Sequence, residues 1–135
     1  MKYGFFLLPV FFLLLGCAKT VEKAKENAVL SAMTDGQWRM TRFDRAGHDL
    51  TTNFAPYRFQ FQKDNTVQAI NNGIPERTGT WSADPIAQTI TSFFANAGEP
   101  VSLLNGTWKV TNNSWTFVEA TQTVNGEALK LRIDK

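Results

Sequence analysis

From Gly36 onward, apolar and polar residues alternate one by one, and this pattern limits the fold more than any other feature of the chain. Tyr57-Arg58-Phe59-Gln60-Phe61-Gln62 puts three aromatics on one side, and Ala128-Leu129-Lys130-Leu131-Arg132-Ile133-Asp134 repeats the arrangement near the C-terminus. Successive side chains of an extended backbone point to opposite faces, so a period of two predicts strands with one buried face. Eight runs fit: residues 37–43, 57–62, 66–71, 77–82, 89–94, 107–111, 114–120 and 128–134. Turn residues separate them, at Asp64-Asn65, Asn71-Asn72-Gly73, Asp84-Pro85, Asn105-Gly106, Asn112-Asn113 and Asn125-Gly126. Asn-Gly and Asn-Asn accept the positive φ that tight hairpins need. Only residues 96–104 leave room for a crossover, so an antiparallel, up-and-down sheet is expected. The fold class predicted is all-β: a small barrel of about eight strands, with a sandwich of about seven strands as the alternative.

Composition removes several functions. The 135 residues carry 14 Lys+Arg against 12 Asp+Glu, a formal charge of +2 with no basic cluster, so no nucleic-acid partner is expected. One Cys excludes an internal disulfide framework and a Cys-based zinc cluster, and one His excludes a two-His metal site. His48 sits in the polar stretch Asp44-Arg45-Ala46-Gly47-His48-Asp49, which reads as a solvated loop. Glu76 with Asp84, and Asp44 with Asp49, are carboxylate pairs that nothing separates from surface charge. Gly79 and Gly106 are isolated, so no Gly-rich phosphate loop forms, and there is no Gly-x-Ser-x-Gly. No catalytic residue, metal or cofactor is expected, and the chain does not read as an enzyme.

The N-terminus has a different texture. Phe5 to Leu15 runs eleven residues without a charge behind Lys2. About 20 residues are needed to span a bilayer, whereas 7–15 is the range of a signal-peptide core. The tetrapeptide that follows, Leu14-Leu15-Gly16-Cys17, resembles a bacterial lipobox. The resemblance implies cleavage between Gly16 and Cys17 and lipidation of the Cys17 thiol, with palmitate among the acyl chains. The partition expected is a signal peptide over 1–16, a lipidated Cys and polar, partly helical tether over 17–34, and the β-domain over 35–135. The chain would then be an envelope lipoprotein, held on a membrane rather than spanning it. Ala18 in place of Asp favours the outer membrane, by the sorting rule of such lipoproteins. Without an acidic run after the anchor, the periplasmic face is expected.

Gly36-Gln37-Trp38, Gly79-Thr80-Trp81 and Gly106-Thr107-Trp108 echo one another. The first resembles the Gly-x-Trp signature of lipocalins. The layout from Asp35 to Lys135 is similar to the compact lipocalin-like domains of bacterial lipoproteins, through Phe59-Gln60-Phe61, Asp64-Asn65, Gly79-Thr80-Trp81 and Leu104 to Trp108. The resemblance implies that Gly36, Trp38, Gly79, Trp81, Gly106 and Trp108 are structural, with Trp38 closing one barrel end. It also implies a late Arg over that Trp. Arg132 is the candidate, although its place between Leu131 and Ile133 gives it outer-face parity. The mid-chain Thr-Asp-Tyr element of the family is absent.

Tyr57, Phe59, Phe61, Phe94, Trp115 and Phe117 are the candidate ligand-lining residues. An interior crowded by such rings leaves, at most, a shallow pocket at one mouth. The expectation is a monomer that binds a small apolar molecule without catalysis. The alternative is a filled barrel serving as a scaffold or inhibitor module for an envelope protein, with residues 53–57 or Phe93-Phe94 as its exposed aromatic patch.

Overall fold

The alternating runs become strands of one antiparallel sheet. The computed structural model describes residues 7–135, with side chains from Thr20 onward. The first six residues of the expected signal peptide, and the side chain of Cys17, lie outside that description. Helix α1 (Leu7–Thr34) precedes β1 (Arg39–Arg45), β2 (His48–Asp49), β3 (Tyr57–Phe61), β4 (Thr66–Asn71), β5 (Ile74–Asp84), β6 (Thr89–Phe93), β7 (Gly106–Asn113), β8 (Phe117–Val124) and β9 (Glu127–Asp134). The strand order is β2-β1-β9-β8-β7-β6-β5-β4-β3, a meander in which the first long strand lies beside the last. The sheet curls until Trp38, just ahead of β1, exchanges both backbone hydrogen bonds with Phe59 of β3, each 2.8 Å long. The architecture is therefore barrel-like, and the two-sheet sandwich is not what forms.

Three local differences from the sequence reading have physical causes. First, the described residues form nine strands. The stretch read as a loop around His48 is a hairpin, because Ala46 (φ 49°) and Gly47 (φ 81°) both take the positive φ of a tight turn and pair β2 with β1. Second, β7 runs through Asn112 and Asn113, which were expected to turn. A bulge between Val110 and Asn112 carries them into register with Glu119 and Val118. The reversal moves to residues 114–116, so Trp115 occupies a turn and not a strand. Third, the tether is continuous helix to Thr34. Its last turns pack on the sheet: Met33 is buried, Val29 and Leu30 are half-buried, and the Trp38 indole donates a 2.9 Å hydrogen bond to the Met33 carbonyl. Gly36 (φ 78°) then allows the chain to leave the helix and enter β1.

The core is aromatic. Phe43 packs on Phe54 (centroids 4.9 Å apart) and edge-on to Trp108 (6.1 Å), while Phe61 meets Trp81 edge-on at 5.3 Å. Phe54 is 1% exposed, so residues 53–57 are not an exposed aromatic patch. The Phe54 ring is drawn inward by the short 3-10 turn Thr51–Phe54. Phe94 is also buried, leaving Phe93 alone outside.

Gly79 explains one of the three Gly-x-Trp repeats. A Cβ there would stand 2.5 Å from the Phe93 carbonyl oxygen and 2.7 Å from Phe94 Cδ1. The missing side chain is what lets β6 and the Phe94 ring lie against β5. Gly79→Ala should therefore push two paired strands apart and cost about 1–3 kcal/mol, as overpacking does. A thermal midpoint equal to that of the wild type would show that the close approach is not needed.

Candidate functional site

The concave space of the fold lies at the end of the sheet where α1 docks. A pocket of about 320 Å³ opens between the helix and the ends of β5–β8. Val29, Ala32 and Met33 come from α1, and Trp38, Ile90, Val110 and Val118 face them from the sheet. Lys25, Asp84, Gln88, Asn113 and Ser114 are exposed and form a polar rim. The composition follows from the strands. Inward-facing positions are apolar, and the residues just past the strand ends are turn formers that meet water.

The sheet interior is nearly filled. A second void of about 60 Å³ lies among Phe59, Phe61, Phe94 and Trp108, the volume of roughly two waters. Ile90 and Val118 line both spaces, so they form the floor of the mouth pocket. The indole of Trp108 and the Ser92 hydroxyl both donate to the Leu104 carbonyl, which satisfies the few polar atoms there.

The candidate lining residues are thus split. Phe59, Phe61 and Phe94 face the small inner void. Tyr57 is buried but turns its hydroxyl to Glu76 at 2.7 Å. Burial and that carboxylate push the Tyr57 hydroxyl up, and the same bond holds Glu76 below its usual range. Phe117 lies half-buried beside Glu119 and Arg132, with the Arg132 guanidinium 4.2 Å from its ring centroid. Trp115 is 62% exposed. Val118 and Ala120 are the inward residues of β8, so Phe117 and Glu119 fall on its outer face, and the bulge in β7 leaves Trp115 in the turn.

The structural tryptophans Trp38, Trp81 and Trp108 are buried at 0%, 3% and 3% exposure, and Gly106 opens β7 opposite Ser92. The cation over Trp38 is not Arg132. Lys135 Nζ stands 5.0 Å from the indole, and 3.5 Å from the Asp35 carboxylate. Arg132 instead binds Glu119 at 2.8 Å and Asp134 at 3.0 Å, as its parity requires.

Hydrogen bonds from Arg132 hold Asp134 below the usual aspartate range, with the Thr41 hydroxyl donating to the same carboxylate. A lowered carboxylate stabilises the fold above its unfolded value and loses that contribution as pH falls through the folded one. The thermal midpoint should therefore drop as pH falls below the usual aspartate range. Asp134→Asn should flatten that drop, and an unchanged slope would remove Asp134 from the account.

His48 is exposed in β2, and the candidate carboxylates are held by partners of their own. Asp44 and Asp49 both bind Arg42, and Glu76 binds Tyr57 and Asn71. Among the described residues, no three His, Cys, Asp or Glu side chains gather into a metal-binding cluster. No helix among them is long and apolar enough to cross a membrane. The helix residues of the mouth, Val29, Ala32 and Met33, escaped sequence reasoning. Small residues at spacings of three and four make too weak an apolar face to stand out.

The fold is similar to that of a DUF4847 family protein from Bacteroides vulgatus ATCC 8482, with a TM-score of 0.54, 13% identity, and coverage of 78% of this chain and 96% of that one. No protein-family model and no curated protein matches the sequence. At that identity the likeness is one of fold.

Proposed function

We propose that this chain is a lipid-anchored, lipocalin-like binding protein of the bacterial envelope that takes a small apolar molecule in the mouth pocket and catalyses no reaction. The observation that carries this reading is the pocket itself: about 320 Å³, apolar within and polar at its rim. That volume is at the lower end for small-molecule sites, which run from about 300 to 1,000 Å³. The Trp38 bridge to Phe59, with Lys135 above the indole, supports the lipocalin-like part of the reading. The Gly16-Cys17 sequence supports the anchor. A ligand fits as an apolar body against Val29, Met33 and Trp38, with a polar head at Lys25, Gln88 or Asn113. Little of it reaches the interior, so an affinity in the micromolar range is expected.

Native mass spectrometry of the full chain with added dodecanoate tests this. One bound dodecanoate is expected. Ala32→Phe, which fills the pocket from the half-buried face of α1, should weaken binding at least tenfold without lowering the thermal midpoint. Identical spectra with no bound molecule in either protein would overturn the reading in favour of a protein-interaction module.

A further inference from the structure

Three of the large apolar side chains left exposed are gathered at the mouth end. Ile86 (61% exposed) follows Pro85 in the β5–β6 turn, and Trp115 (62%) follows Ser114 in the β7–β8 turn. Pro85 and Ser114 both line the pocket. Val21 (53%) lies on α1, one turn before Lys25 and on the face that continues through Ala28 and Ala32. Three separate elements thus present an apolar side chain around one opening. Nothing in their own strands or turns requires this, since turn residues are normally polar.

The helix limits what can lie beneath that opening. Residues 25–33 of α1 run along the mouth, from Lys25 at the rim to Met33, whose carbonyl accepts from the Trp38 indole. Cys17 is eight residues before Lys25 in the same helix. At 1.5 Å per residue, the anchor lies about 12 Å from the rim. A chain lipidated at Cys17 therefore carries its mouth end next to the membrane and cannot hold it far away. Lys19, Lys23 and Lys25 outnumber Glu22 and Glu26 in the connecting segment, which suits an anionic headgroup layer. Tryptophan is also the side chain most at home at the level of the headgroups.

We propose that Val21, Ile86 and Trp115 form a membrane-contact rim, seated in the bilayer interface, so that the mouth pocket opens onto lipid. The proposal rests on the anchored, ligand-binding reading above and adds an orientation to it. The pocket then exchanges its apolar ligand with the membrane, and the polar face of the sheet stands clear in water.

The test uses the full chain in vesicles of phosphatidylethanolamine and phosphatidylglycerol, with and without bromine on the acyl chains. Trp38, Trp81 and Trp108 are buried, so of the four tryptophans Trp115 is the one open to contact. Brominated lipid should quench the share of emission that belongs to Trp115, and Trp115→Phe should abolish that loss. No quenching, or quenching that survives Trp115→Phe, overturns the rim. A change in sedimentation on Trp115→Ser without quenching overturns it too, because a second copy would then cover the patch. The intact mass of the purified chain reports Cys17 acylation separately, and the dodecanoate measurement reports the pocket. Failure of the anchor, the pocket or the rim is therefore told apart.

Discussion

Trp38→Ala should lower the unfolding free energy by about 3–5 kcal/mol, the range for removing a large buried aromatic. Four features of the fold meet at this residue. Its side chain is fully buried, its indole holds the Met33 carbonyl at 2.9 Å, its backbone bridges Phe59, and Lys135 stands over its ring. Truncation leaves the Met33 carbonyl without that donor and removes one wall of the mouth pocket. The end of α1 should therefore loosen along with the sheet. A small protein has a urea m-value of about 1–3 kcal/mol/M, so the midpoint should fall by more than about 1 M. Trp38→Phe keeps most of the packing and loses the indole hydrogen bond, so its cost should be nearer 1–1.5 kcal/mol plus a small void. A midpoint unmoved in Trp38→Ala would mean that nothing depends on this closure.

Phe61→Ala should cost a similar amount, about 3–5 kcal/mol, but leave a different residue of damage. Phe61 borders the inner void of about 60 Å³ and packs edge-on against Trp81 at 5.3 Å. Removing the ring joins its own volume to that void and produces an apolar cavity large enough for a small aromatic. Such cavities stay dry and bind benzene. Benzene should therefore raise the thermal midpoint of Phe61→Ala and leave the wild type unchanged. An equal rise in both would place the benzene in the mouth pocket, and would show that the inner void did not grow.

The two substitutions mark how far the residues could be read unaided. Tyr57, Phe59 and Phe61 share one buried face because strict alternation leaves an extended chain no other choice. Seven further runs were also legible as strands, with turns between them, since Asn-Gly and Asp-Asn announce where the backbone reverses. Trp115 and Phe117 were not legible. Their alternation breaks at Phe117-Val118, and Glu119 shares their parity, so the run offered two apolar faces. The bulge in β7 carries Asn112 and Asn113 into the strand and moves the turn to Trp115, while the parity of β8 puts Phe117 with Glu119 beside Arg132.

Alternation and turn residues were enough to set an all-β chain after the N-terminal segment, an antiparallel sheet, and the apolar face of most strands. These follow from local rules of period and turn chemistry, which act over a few residues. Where the mouth pocket lies was set by long-range packing. The pocket needs Val29 and Met33 of a helix read as a tether, brought against Ile90 and Val118 from the far side of the sheet. The cation above Trp38 is likewise Lys135 and not Arg132. Those meetings depend on how tightly the sheet curls and where the helix stops, and both are set by the packing of the whole core rather than by any single run of residues.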